Sequence, residues 1–142
     1  MEHDSSNRAV STPMPNKRPK ALTVMRWVLV FAWTGVVLIA GPNLDIPSPL
    51  GSVLGFAVLS IVLVNALWQH MPLASACIMA AILAGLVGVA YEALAFLAFD
   101  YALSPGDWLA NAVGAVAGAA TGYPLIKKVD ELVSPAWEHP AG

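Results

Sequence analysis

The strongest constraint on this chain is a run of more than a hundred residues with almost nothing that can face water. Between Ala21 and Ile126 the only charged residues are Arg26, Asp45, Glu92, Asp100 and Asp107. Over the whole sequence 11% of residues are charged and 58% are hydrophobic. A soluble domain carries about 25% charged residues. No soluble surface can be built from such a segment. The pattern excludes a soluble enzyme, a nucleic-acid binder and a disordered protein, and it predicts an integral membrane protein.

Four apolar stretches fall at residues 22–41, 50–68, 73–99 and 108–126. Each is close to the roughly 20 residues that cross about 30 Å of hydrocarbon as a helix. Membrane strands would need polar residues at alternate positions, and these runs have almost none. The prolines sit at the edges. Pro42, Pro47 and Pro49 occupy the first connection, Pro72 opens the third stretch, Pro105 opens the fourth, and Pro124 lies in its final turn. None falls at a helix centre, where it would remove a hydrogen bond and clash with the preceding turn. The fold class expected is an all-α membrane protein of four transmembrane helices in an antiparallel bundle. Residues 1–20 form a polar tail rich in proline and serine that buries too little to order itself, residues 21–126 the four-helix domain, and residues 127–142 a polar C-terminal tail. The first apolar run exceeds the 7–15 residues of a signal-peptide core, so an uncleaved span is expected.

Orientation follows from the cations. All seven Lys and Arg residues lie in the N-terminal tail, at the start of the first helix, or at Lys127 and Lys128. The connections after the first and third helices carry only acidic charges, Asp45, Asp100 and Asp107. Cations are retained on the cytoplasmic side, which predicts both termini inside. Arg26, one turn into the first span, is placed to snorkel toward the inner headgroups. Trp27 and Trp68 mark the inner interface, and Tyr101 and Trp108 the outer one.

Little polar chemistry remains. Glu92 is the only acidic residue deep in a span, about seven residues, or roughly 10 Å, below the outer end of the third helix. An ionised carboxylate at that depth costs at least a few kcal/mol unless paired or neutralised, which marks it as a candidate functional group. The alternative is a protonated structural Glu bonded to a neighbouring helix. In the fourth helix Ser104-Pro105-Gly106-Asp107 has the form of a helix start, with Ser at N-cap, Pro at N1 and an acid at N3. Asp107, Asn111, Gly114 and Gly118 then share one face at spacings of about 4, 3 and 4. Asn111 lies near Glu92 in height, on the helix that a short connection makes its antiparallel neighbour. No cation is available at that level, so a neutral hydrogen bond between Glu92 and Asn111 is the cheaper way to bury the carboxyl. Together with Asp107 the pair would form an outward-facing polar pocket. Gly114, Gly118 and Gly122 repeat at four-residue intervals, the small-residue spacing that lets helix backbones approach closely.

The order Tyr91-Glu92, a short loop, then Asp107-Trp108-Leu109-Ala110-Asn111-Ala112-Val113-Gly114 and Gly118 resembles the end of VanZ-like membrane proteins. In that family a Glu in the penultimate helix precedes a D-x-x-x-N-x-x-G-x-x-x-G helix. The similarity covers about residues 88–122 and extends to the four-helix plan. The resemblance implies a small bacterial inner-membrane protein of the cell envelope, with members linked to glycopeptide (teicoplanin) resistance. Residues 95–104 carry neither the Gln nor the Arg usual before that Asp.

No metalloprotease, nucleophile-elbow, phosphate-loop or C-x-x-C pattern occurs. The lone Cys77 is expected to be a small buried hydrophobe, and His70 an interfacial turn residue. No cofactor or metal ligand set is expected, and enzymatic chemistry on lipid phosphates would want cations that the outer face lacks. The expected function is therefore non-enzymatic: a protein embedded among membrane lipids whose outward pocket binds an amphiphile or envelope component. The alternative is a small proton-coupled transporter, a homo-oligomer assembled through its G-x-x-x-G faces, with Glu92 as the coupling group.

Overall fold

A computed structural model of the chain describes residues 20–40, 48–99 and 104–133, all of them helical except at two short connections. The elements are α1 (Lys20–Ala40), α2 (Ser48–Leu67), α3 (Leu73–Phe99) and α4 (Pro105–Val133). Each contains a segment long and apolar enough to cross a membrane. A helix satisfies its own backbone hydrogen bonds, which hydrocarbon cannot do. The chain is a multi-pass, all-α membrane protein. Its perimeter is apolar throughout: Phe31 is 71% exposed, Ile39 74% and Leu97 79%. In water such a surface would drive aggregation; in a bilayer it meets lipid.

Contact register fixes the helix directions. Thr23, Arg26 and Trp33 of α1 bond to Gln69, the Asn65 carbonyl and the Gly55 carbonyl respectively, so α1 and α2 run antiparallel. Gly114, Gly118 and Gly122 of α4 face Val53, Ala57 and the Ile61–Val64 turn of α2 in the same order. These two helices are therefore parallel, and they form the most extensive helix contact in the molecule. Helix α3 fills the angle between them. Helix α1 packs mainly on α2 and is the peripheral member. Successive helices alternate in direction, while the tightest packing joins the two that point the same way.

The core is built largely from small side chains at four-residue spacing. Ala76, Ala80 and Ala84 of α3 are fully buried, and the same stripe continues through buried Gly88 to Glu92. Helix α4 contributes Ala115 and Ala119, and α2 the larger Phe56, Leu59 and Val64. Lipid is as apolar as these residues, so close packing rather than expulsion from water holds the helices together.

Two element ends depart from the apolar pattern. Helix α4 does not stop where hydrophobicity does, at Ile126, but continues to Val133. Pro124, expected in a final turn, is thus inside the helix with nine residues beyond it. Its missing N–H leaves the Ala120 carbonyl without its usual donor. At the start of α4 the Ser104 carbonyl accepts from the N–H groups of Asp107 (3.1 Å) and Trp108 (3.3 Å). Ser104 is the N-cap, Pro105 takes N1, and Asp107 sits in the first turn against the positive end of the helix dipole. Asp45, Asp100 and Tyr101, and the terminal tails apart from Lys20 and residues 127–133, lie outside the described residues.

The end of the bundle that carries Lys20, Arg26, Lys127 and Lys128 has its own polar knot. Arg26 Nη1 donates to the Asn65 carbonyl at 3.2 Å, and its guanidinium carbon lies 5.8 Å from the Trp68 ring centroid. Thr23 Oγ1 donates to Gln69 Oε1 at 3.0 Å, and Gln69 Nε2 donates to the Ala66 carbonyl at 2.9 Å. The last carbonyls of a helix have no intrahelical donors, and these side chains supply them for α2. Arg26 therefore does more than snorkel: it ties α1 to the C-terminal turn of α2. His70 sits exposed in the turn that follows.

Candidate functional site

The α2–α3–α4 junction holds the polar residues singled out in the sequence. Glu92 and Asn111 are buried there, at 6% and 3% exposure. Asn111 Nδ2 donates to Glu92 Oε1 at 3.1 Å. The hydrogen bond expected from their matching depths is present, and it joins α3 to α4 across the interface.

Local sequence explains how an amide of this size fits. One turn before Glu92 stands Gly88, and a Cβ built there would lie 3.1 Å from Asn111 Cβ and 3.5 Å from Asn111 Nδ2. The missing side chain at Gly88 is the seat of Asn111. The third wall is Phe56 of α2, 1% exposed, whose ring meets Tyr91 edge-on with centroids 6.3 Å apart. Such an arrangement sets the positive ring edge against the negative face.

Asn111 has a second polar atom. Its Oδ1 is buried and has no hydrogen-bond partner. With Nδ2 held by Glu92, the planar amide turns Oδ1 away from the carboxyl. An unmet acceptor in a low-dielectric setting costs about 1–3 kcal/mol.

Between α3 and α4 a groove of about 310 Å³ opens toward the surrounding medium, with Asn111 on its wall. Ile82, Leu86 and Val89 flank it from α3 and Trp108 from α4, while Gly85 leaves its floor open. Of the three residues expected to line a polar pocket, only Asn111 lines this groove. Glu92 stands behind Asn111 as its hydrogen-bond acceptor, and Asp107 is half-buried one turn closer to the start of α4. The groove is predominantly apolar, with one amide on its wall.

The three glycines expected to act as a packing face do so unequally. A Cβ at Gly118 would overlap the Ala57 carbonyl oxygen and lie 2.7 Å from Ala57 Cα. At Gly114 it would lie 2.5 Å from the Val53 carbonyl oxygen and 3.1 Å from Phe56 Cβ. At Gly122 the nearest atom is Val64 Cγ2 at 3.4 Å, an ordinary contact. Gly114 and Gly118 thus aim a Cα–H at α2 carbonyls, a recurring weak bond where helices touch.

Sequence reasoning missed Gly88, Phe56 and Ser60. Ser60, one turn beyond Phe56, is 0% exposed and its Oγ has no partner. A polar residue within an otherwise apolar stretch was the available signal for Ser60; nothing in the α2 sequence distinguishes the face bearing Phe56. Comparison with known proteins finds no matching family model, no matching curated protein and no matching solved structure.

Proposed function

We propose that this membrane protein binds a membrane-dissolved amphiphile in the α3–α4 groove, with Asn111 as the polar contact and Glu92 as the residue that fixes it. The observation that carries this reading is the buried Glu92–Asn111 hydrogen bond placed on the wall of a groove open to lipid. A fixed polar group among apolar walls is the usual makeup of a small-molecule site, and about 310 Å³ is at the lower end of such sites. Asp107, at the start of α4, would face the amphiphile's head as it enters.

On this reading the basic end of the bundle is cytoplasmic, both termini are inside, and the groove lies in the outer half of a bacterial inner membrane. The excess of Lys and Arg at that end supports the orientation. The Glu92, Asp107, Asn111 and Gly118 pattern supports a VanZ-like role in the cell envelope and with it a link to glycopeptide resistance. The role is non-enzymatic: among the described residues the Trp108 end offers no Lys, Arg or His to stabilise a developing oxyanion. The transporter alternative drew on glycine faces free for assembly; in the chain itself Gly114 and Gly118 are occupied by α2.

Native mass spectrometry of the full chain, extracted in mild detergent, tests the binding. A lipid-sized adduct retained by the wild type and lost in Asn111→Leu is expected. A wild type that carries no adduct beyond that of a control membrane protein would refute the reading. Teicoplanin susceptibility of cells expressing the protein tests the envelope role. Glu92→Gln, Asp107→Asn and Asn111→Ala variants that protect as fully as the wild type would remove it.

A further inference from the structure

Five features of the groove narrow what it takes. Its flanks are aliphatic or aromatic and partly exposed: Ile82 53%, Leu86 59%, Val89 45% and Trp108 46%. Its floor at Gly85 is empty, with no atom within 4 Å of where a Cβ would stand. From Ile82 to Val89 it follows about 10 Å of α3, which is part of an alkyl chain and far short of a membrane-spanning helix. Asn111 lies six residues into α4, about 9 Å below the helix start. The polar atom offered by the wall is an acceptor, the unpartnered Asn111 Oδ1.

An occupant must therefore bring a donor to a depth where charge is costly. A phosphate or carboxylate is disfavoured twice: it donates no hydrogen bond when ionised, and Lys20, Arg26, Lys127 and Lys128 all lie at the opposite end among the described residues. An ammonium group would want the Glu92 carboxyl, but that group lies behind Asn111 and off the groove wall. A hydroxyl meets every condition, because it is small, neutral and free to descend with its chain. Two turns of groove are too short to seat a helix from a second copy, which would pack along most of a span.

We infer that the groove binds an uncharged lipid alcohol, with its hydroxyl donating to Asn111 Oδ1 and its alkyl chain lying over Gly85 between Leu86 and Trp108. The inference rests on the amphiphile-binding reading above and specifies its ligand class. Glu92 is then a positioning residue. It holds Nδ2, so that the amide presents its oxygen rather than its N–H₂ to the occupant.

The test uses the full chain in phosphatidylcholine nanodiscs and two photoreactive probes. One is a sixteen-carbon alcohol with a mid-chain diazirine (roughly the thickness of one leaflet), and the other is its methyl ether, which keeps the chain and loses the donor. At equal membrane fractions the alcohol should label peptides containing residues 82–89 or 108–112 about five-fold more than the ether, the ratio expected for one net hydrogen bond. Asn111→Leu should bring the two probes level. Gly85→Leu, which grows into open space, should lower labelling by both to background at an unchanged melting midpoint. Equal labelling of the wild type by alcohol and ether would overturn the hydroxyl assignment while leaving amphiphile binding in place. Labelling by neither probe, in a protein that still retains an adduct by native mass spectrometry, would overturn the groove as the site. Stronger labelling by a trimethylammonium probe, or a cross-linked dimer through Gly85 that excludes both probes, would likewise overturn it. The wild-type comparison needs no variant to fold.

Discussion

Replacing Gly118 by alanine adds one methyl group where the structure has no room for it. The new Cβ would overlap the Ala57 carbonyl oxygen and stand 2.7 Å from Ala57 Cα and 2.8 Å from the carbonyl carbon. All three are backbone atoms of α2, so no side-chain rotation relieves the clash. Restoring ordinary contact moves α4 away from α2 by about 0.7 Å at this level, from 2.7 Å to the 3.4 Å at which contacts become unstrained. A gap of about 0.5–1 Å forfeits a quarter to a half of each dispersion contact, worth about 0.1–0.2 kcal/mol per atom pair. Spread over a few tens of pairs along the largest interface of the bundle, the loss is about 1–2 kcal/mol, and Leu in place of Ala should raise it to about 3 kcal/mol. No hydrophobic drive between helices compensates in lipid. The same substitutions elsewhere provide the control. Gly122→Ala meets only Val64 at 3.4 Å, and Gly35→Leu meets nothing within 4 Å, so both should stay within about 0.5 kcal/mol of the wild type. Thermal unfolding in a single detergent, followed by loss of the monodisperse peak on gel filtration, gives the order. Equal midpoints for Gly118→Ala and Gly122→Ala would refute the close α2–α4 approach.

Four further outcomes are expected. A double-mutant cycle between Glu92→Ala and Asn111→Ala should show coupling of about 0.5 kcal/mol or more, read from unfolding in detergent; strict additivity would mean that the bond contributes nothing. Glu92→Gln should keep the fold, whereas Glu92→Lys should lower the melting midpoint sharply, because an ammonium group cannot accept the Asn111 N–H. Trp33→Phe should cost about 1 kcal/mol through the lost bond to the Gly55 carbonyl and should loosen α1 selectively, visible as faster amide exchange there than in α3. Cysteines placed at His70 and Gly106 in a Cys77→Ala background should react with membrane-impermeant maleimide from opposite sides, His70→Cys from the cytoplasm; the reverse pattern would invert the proposed orientation.

The Glu92–Asn111 bond was legible because depth along a membrane helix is simple arithmetic. Each residue adds about 1.5 Å, the connection from α3 to α4 is short, and the two polar groups have few alternatives in hydrocarbon. The seat that makes the bond possible was not legible. Gly88 looks like one more small residue in an Ala/Gly-rich helix until Asn111 is found packed against it. The open Asn111 Oδ1 and the groove beside it depend on how two helices rotate about their axes, and apolar residues on all sides of α3 leave that rotation unmarked.

The sequence by itself determined that there are four helices, their approximate lengths and their alternation. The reason is local: in a bilayer each spanning segment must satisfy its own backbone, so an apolar run of sufficient length has one solution. It also determined that α4 carries a close-packing face, since small residues at four-residue spacing have that consequence for any partner. Only the tertiary structure decided which partner. Gly114 and Gly118 meet Val53 and Ala57 on the parallel helix α2, while Gly55 of α2 lies against Val37 of α1. Gly122, identical in sequence spacing, ends up in ordinary contact because Val64, larger than Ala57, fills the space opposite. Packing in lipid is chosen by the fit of two surfaces at once, and a one-dimensional pattern describes only one of them.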